Sequence, residues 1–351
     1  MRVLFDVTHP ALVHLFAVPG ALLRERGHEV VVAAREKDVT THLLDAQDLP
    51  YTVVSRAGSG PLSRVGELLQ REVGLARLAR GVDPDVVVSQ VDPAAVHVAR
   101  LVGARAVVFD DSEPEHLAAS ITHPFADVVC TPANFRHDVP NQRRYDGFHE
   151  LAYLHPNRFS PDSDVLREHG VDPDEPYAVV RFVSWSAHHD VGRRGFSLDG
   201  KRELLAGLAE HGRVFVCRER VTAEGADVVD TAPIPGVEPC PVPPEALHDL
   251  LAFADCYVGD SQTMATEAAV LGTPAVRSNG FAGADDMSNF HELEDEYGLL
   301  TSVADEGEAG ALAVETLRDP PHETHARRRD RLVREKIDVA AFVADVVEGT
   351  A

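Results

Sequence analysis

Cys256-Tyr257-Val258-Gly259-Asp260-Ser261-Gln262-Thr263-Met264-Ala265-Thr266-Glu267 reads as a short buried strand that turns at Gly259 and enters a helix near Thr263. Gly272 and Pro274 close that helix after Leu271. A strand running into a helix N-terminus presents backbone N–H groups without partners and the positive end of the helix dipole, which together suit a diphosphate. The backbone from Gly259 to Gln262 and the hydroxyls of Ser261 and Thr263 are the expected donors. Glu267, one turn in, is placed to accept from both hydroxyls of a ribose. An ordinary capped helix with an exposed glutamate has the same local pattern, so the neighbouring segments decide.

The strand belongs to a series. Residues 177–182, 214–217 and 275–277 have similar apolar character, and helical patterns at 200–210, 244–254 and 263–271 separate them. The first half of the chain repeats the alternation, with strands expected at 3–6, 28–33, 51–54, 85–89, 105–110 and 127–130. The unbroken runs Val86-Val87-Val88 and Ala106-Val107-Val108-Phe109 suit strands covered on both faces, as in a parallel sheet. Two doubly wound α/β domains follow, and a chain of 351 residues, 44% hydrophobic, suffices for two cores. The alternation pauses between Arg136 and Pro176, where Pro140, Pro156, Pro161 and Pro173 fall among polar residues. The expected division is an N-terminal domain over 1–150, a linker over 151–176, and a C-terminal domain over 177–351 that includes the helical patterns of 306–347. Two such domains facing each other make a cleft, the usual place for a ligand.

The longer run G-D-S-Q-T-M-A-T-E-A-A-V-L-G-T-P-A-V-R-S-N from Gly259 to Asn279 resembles the donor-site signature of the glycosyltransferase-B superfamily and, within it, the domain-of-unknown-function 354 family. F-D-V-T-H-P-A-L-V-H-L-F from Phe5, R-G-H-E-V from Arg26 and Y-D-G-F-H-E-L-A-Y-L-H-P from Tyr145 extend the resemblance over nearly the whole chain. It implies a glycosyltransferase-B fold, two Rossmann-like doubly wound domains facing across a cleft. The N-terminal domain would take the acceptor and the C-terminal one a nucleotide-diphosphate sugar. In related enzymes the serine of this turn meets the phosphates and the glutamate the ribose, which maps onto Ser261 and Glu267. Residues 247–256, led by Pro241-Val242-Pro243-Pro244, resemble the segment that holds the nucleotide base; the prolines alternatively shape a tight helix entry.

Further candidates sit where strands end, the ligand-binding edge of open α/β sheets. Thr8 and His9 follow the first strand. His9 fits a general base for an acceptor hydroxyl, since imidazole titrates near neutrality; the alternative is that both residues cap the helix at Pro10. His14, on that helix, lines the acceptor side or simply packs. Arg181 to Asp190 follows the first strand of the second half, and the matching superfamily loop lies against the diphosphate. Arg181 would neutralise the leaving group, Ser184 and Ser186 would donate to phosphate, and Trp185 would wall the site. His188-His189-Asp190 is a poor metal site, because adjacent histidines diverge and no further ligand cluster has suitable spacing. Asp92, and Asp111 with Glu113, follow the fourth and fifth strands and either gather around one sugar or belong to helix starts, with Asp92 and Ser112 as caps and acidic first turns. Nucleotide-sugar 2-epimerases of the same fold carry carboxylates at such positions and a histidine facing the diphosphate, with Asp92, Asp111 or Glu113, and His188 as counterparts. Their donor turn reads D-S-G-G with paired glutamates, whereas here it reads D-S-Q-T with Glu267 alone. No G-x-G-x-x-G follows either first strand, which disfavours a dehydrogenase.

The net charge of −24 argues against a nucleic-acid partner and against an anionic membrane. Lysine occurs only at Lys37, Lys201 and Lys336 among 33 basic residues, and acidic residues spread along the whole chain. That pattern suggests adaptation to high salt, which screens self-repulsion. Cys130, Cys217, Cys240 and Cys256 form no C-x-x-C pair and are expected to be buried thiols. With no apolar run long enough to span a bilayer and no signal peptide, a cytoplasmic location is expected. The sum is a metal-independent glycosyltransferase, without cofactor, moving a sugar from a uridine-linked or similar donor to a glycan or lipid-linked acceptor. The alternatives are a 2-epimerase-like isomerase and a non-catalytic nucleotide-sugar-binding protein.

Overall fold

Parallel strands dominate the chain. A computed structural model describes residues 1–47, 49–56, 61–183, 195–217, 233–280, 282, 283 and 286–351. The first sheet holds β1 (Arg2–Val7), β2 (Glu29–Glu36), β3 (Tyr51–Arg56), β4 (Val86–Gln90), β5 (Arg105–Phe109), β6 (Val128–Pro132) and β7 (Gln142–Tyr145), in the order β3-β2-β1-β4-β5-β6-β7. The second holds β8 (Tyr177–Arg181), β9 (Arg213–Cys217), β10 (Val237–Pro239), β11 (Cys256–Gly259), β12 (Ala275–Arg277) and β13 (Leu300–Ser302), in the order β10-β9-β8-β11-β12-β13.

The helices are α1 (Pro10–Glu25), α2 (Thr40–Ala46), α3 (Pro61–Val82), α4 (Pro93–Val102), α5 (His116–Thr122), α6 (Ser163–Glu168), α7 (Leu198–Ala209), α8 (Leu247–Ala252), α9 (Gln262–Leu271), α10 (Ser288–His291), α11 (Glu306–Arg318), α12 (His322–Glu335) and α13 (Val339–Thr350).

Val86, Val87 and Val88 are buried, as a strand covered on both faces must be. The first core gathers Leu4, Val87 and Val108 with Val96 and Leu75 from the covering helices. The second gathers Val180, Val216 and Val258 with Leu205 and Ala313. In each sheet the strand order reverses once: between β1 and β4, paired at Val3↔Val86, and between β8 and β11, paired at Gly259↔Arg181. These switch points are where such sheets open a crevice at their carboxyl ends.

Three strands escaped the sequence reading: β7, β10 and β13. All three are sheet edges, where one side lacks a partner and an apolar run is not required. β10 ends in Pro239, a residue that edge strands tolerate.

The expected division also needs correction. The compact units are residues 1–159 with 336–351, and residues 160–335. The expected linker over 151–176 is structured: Leu151, Ala152 and Leu154 are buried in the first unit, and α6 belongs to the second. The last helix, α13, was expected with the second domain and packs in the first. Its Glu348 meets Arg26 at 2.7 Å and His28 at 2.7 Å, and Phe342 lies 4.9 Å from Tyr145 between ring centres. Periodicity shows that a helix has an apolar face but not which core the face meets.

Candidate functional site

The carboxyl ends of β8 and β11 build the site in the second unit. A side chain at Gly259 would drive its Cβ into the carbonyl oxygen of Arg181, so glycine is required by the neighbouring strand itself. The Asp260 N–H donates to that same oxygen at 3.2 Å, and Asp260 Oδ1 accepts from the Val183 N–H at 2.7 Å. The segment leaving β8 is thereby tied to the turn after β11. Ser261 caps α9, its hydroxyl accepting from the Met264 N–H at 3.4 Å. The N–H groups of Gln262 and Thr263, in the first turn, have no acceptor within the helix. Both residues are half-buried.

Glu267 is 4% exposed, not the solvent-facing glutamate of an ordinary amphipathic helix. Its Oε1 lies 3.0 Å from His248 Nε2. His248 comes from α8, inside the segment expected to hold a nucleotide base, and Asp249 beside it accepts from the Asp162 N–H at 2.8 Å. Arg181 ends β8 in register with Gly259 and Cys217. Ser184, Trp185, Ser186, His188, His189 and Asp190 lie outside the described residues. Arg277, to which the sequence reading gave no role, is fully buried at the end of β12, bonds Asp286 and Ser302 and lies 3.7 Å above the Phe290 ring. Burial pulls it down to about 10, which leaves it charged at neutral pH.

In the first unit, the carboxyl ends of β1 and β4 bring Asp6 and Asp92 onto one guanidinium. Arg71, from α3, donates through Nη1 to Asp6 Oδ1 at 3.0 Å, through Nη2 to the other Asp6 oxygen, and through Nη2 to Asp92 Oδ2 at 2.7 Å. Asp6 and the Arg71 side chain are buried. Burial, and then the Asp92 charge, lift Asp6 above the usual carboxylate value against the pull of Arg71. Asp92 Oδ1 meanwhile caps α4, accepting from Ala94 and Ala95 N–H at 2.8 and 3.2 Å. The Asp92 carboxylate is thus spent on a cap and an ion pair, which makes it a scaffold group and leaves the alternative of helix capping the better account.

His9 likewise caps, its Nδ1 accepting from the Ala11 N–H at 3.3 Å. A neutral imidazole that accepts at Nδ1 carries its proton on Nε2 and donates there, so this geometry disfavours His9 as a base. Thr8 is half-buried just ahead of it, and His14 stacks on Tyr153 at 5.2 Å between ring centres.

The end of β5 holds a pair that spacing did not suggest. Asp111 Oδ2 lies 3.1 Å from His149 Nδ1, and its Oδ1 accepts from Gln90 at 3.4 Å. His149, in the 3-10 turn His149–Ala152, is 7% exposed. Burial opposes its cationic form, but the charge and hydrogen bond of Asp111 outweigh that and raise it above the ordinary histidine value. Asp111 is held below its own ordinary value, burial being outweighed by the charge and hydrogen bond of His149. His149 Nε2 is buried with no hydrogen-bond partner among the described residues, and so is the Tyr145 hydroxyl, whose ring lies parallel to His149 at 6.2 Å. Glu113, also buried, accepts from the Arg136 N–H at 3.4 Å. The signal for His149 lay in the H-E of the run from Tyr145, which carried the family resemblance but no assigned role.

Among the described residues no group of three or more His, Cys, Asp or Glu side chains is placed to hold a metal ion, and no helix is long and apolar enough to cross a membrane. Residues 1–283 match the family described as "Protein of unknown function (DUF354)". No curated protein matches the sequence. Among solved structures, the glycosyltransferase SnogD from Streptomyces nogalater is similar over 100% of this chain and 99% of its own, with TM-score 0.63 and 16% identity. The UDP-GlcNAc 2-epimerase from Methanocaldococcus jannaschii is similar over 95% and 99%, with TM-score 0.62 and 13% identity. A co-structure of S. aureus MnaA with UDP is similar over 97% and 94%, with TM-score 0.69 and 11% identity. At these identities the likeness is one of fold, the glycosyltransferase-B type.

Proposed function

The chain belongs to the DUF354 family, and within it we propose a glycosyltransferase that moves a sugar from a nucleotide-diphosphate donor, uridine-linked by preference, to an acceptor hydroxyl. The observation that carries this reading is the turn after β11. It offers a capped helix N-terminus at Gln262 and Thr263, and a buried Glu267 held by His248 one turn further in. The N-terminal donors and Arg181 would take the negative charge of the departing diphosphate, so the mechanism invokes no metal ion. Glu267 would accept from the ribose, oriented by His248.

Removal of the acceptor proton is assigned to His149 in place of His9 and Asp92. Its Nδ1 faces Asp111, which fixes the tautomer that leaves the Nε2 lone pair available. The reaction is a displacement at the anomeric carbon: the acceptor oxygen bonds to that carbon, its proton goes to His149, and the diphosphate leaves with the bonding pair. The isomerase alternative is weakened by the single carboxylate on α9, where buried Ala268 follows Glu267.

The test is a mass-spectrometric binding screen of nucleoside diphosphates and their sugars on wild type and Glu267→Gln, with folding of the variant checked by circular dichroism. Binding of a uridine-diphosphate sugar that drops at least tenfold in a folded Glu267→Gln supports the reading. Equal affinity in the two proteins sinks it, and deuterium entering C2 of UDP-N-acetylglucosamine in heavy water without acceptor replaces it by the isomerase.

A further inference from the structure

Two thiols sit side by side at the carboxyl edge of the second unit's sheet. β9 ends at Cys217, and Cys240 directly follows β10. The parallel register Pro239↔Val216 carries on to set Cys240 opposite Cys217, and the Cys240 N–H donates to the Val216 carbonyl at 3.0 Å, so the ladder is intact at that point. Paired residues on adjacent strands are about 4.8 Å apart, within the Cα separation of about 4.4–6.8 Å that a disulfide requires. Side chains of a directly paired couple also share a face of the sheet. Both cysteines are free thiols, and their side chains are hydrogen-bonded to each other.

The two are not equivalent. Cys217 is buried, and its hydrogen bond to Cys240, then burial, hold it well above the ordinary thiol value. Cys240 is half-buried, and accepting that bond lowers it. Arg181, beside Cys217 in the register of β8 and β9, favours the thiolate of both. A partly accessible thiol whose ionised form is favoured, with a second sulfur beside it, is the arrangement of an attacking and a resolving cysteine.

We propose that Cys217 and Cys240 are a redox-active dithiol, converted to an intrachain disulfide by low-molecular-weight disulfides. The Cys240 thiolate attacks one sulfur of the reagent, forming a mixed disulfide and releasing one thiolate. Cys217 then loses its proton and attacks Cys240 Sγ, closing the protein disulfide and releasing the second thiolate. The two protons of the cysteines end on the two released thiols, the protein gives up two electrons, and the reagent disulfide takes them. This inference is independent of the proposed glycosyl transfer.

The probe is oxidised glutathione, added in excess to the reduced full-length protein, with intact-mass and peptide-mass readout. Wild type is expected to lose the mass of two hydrogens and yield a peptide pair joined through Cys217 and Cys240. Cys217→Ser is expected to stop at one glutathione on Cys240, and Cys240→Ser to stay unmodified while folded. Cys130, which burial pushes up to about 12, serves as the unreactive internal control. A wild type that keeps glutathione on Cys240 without closing the bond, or one that stays fully reduced, overturns the proposal. Those two outcomes need no variant to fold.

Discussion

Replacing Arg71 by methionine tests the account of the first unit most directly. The guanidinium is the cation between Asp6, fully buried on β1, and Asp92, whose side chain is 21% exposed. Methionine keeps an unbranched apolar stem and removes both the charge and the three donated bonds. Asp6 would then face burial and the Asp92 charge, which both work against its ionised form. Breaking a buried ion pair from one side typically costs about 3–5 kcal/mol. That corresponds to local opening on the order of 100- to 5,000-fold more frequent. Hydrogen exchange of peptides from β1 and β4 reads the effect without assuming two-state unfolding of the whole chain, and peptides from β8 serve as the control. The sign with pH is fixed. An acid whose folded value lies above its unfolded value contributes stability at low pH and loses it as pH rises through the folded value. The defect of Arg71→Met should therefore be largest at neutral pH and shrink on acidification, and adding Asp6→Asn should relieve part of it. Exchange within about tenfold of wild type at neutral pH, where a buried carboxylate stripped of its cation demands far more, refutes the reasoning. So does a defect that widens in acid.

Asp111→Asn should lower the titration point of His149, because burial is then opposed only by the weaker charges of Glu150 and Asp110; histidine C2 hydrogen exchange by mass spectrometry measures it, and an unmoved His149 rules out the pairing. If His149 is the base, the acid limb of the rate profile, where the imidazole protonates and activity falls, should shift to lower pH in the same variant. Gly259→Ala forces a Cβ against the Arg181 carbonyl oxygen, so β8 and β11 must separate; overpacking of this kind costs about 1–3 kcal/mol, and urea unfolding no different from wild type would show that the strands are not so tightly apposed. The charge of −24 predicts a melting temperature that rises between low and molar KCl as self-repulsion is screened, and a steady fall over that range contradicts adaptation to salt.

What could be read from the sequence follows a physical line. Interior strands such as Val86–Gln90 were legible because burial on both faces demands an apolar run, while β7, β10 and β13 were not, because an edge makes no such demand. Caps were legible for a related reason. Asp92, Ser261 and His9 each bond N–H groups two or three residues ahead, and such reach is written in local order. Partners across the fold were not: His149 for Asp111, His248 for Glu267, and Arg71 for Asp6 and Asp92. Yet the last of these had a usable signal. Asp6 and Asp92 end or follow β1 and β4, and the doubly wound order makes those two strands neighbours at its switch point. Two carboxylates at adjacent strand ends, one of them buried, cannot both stay ionised without a cation between them. That requirement falls on α3, where Arg71 stands among several arginines that composition alone makes look interchangeable. The topology converts an anonymous arginine into a required one, and the same step applied to the end of β5 asks which group answers Asp111.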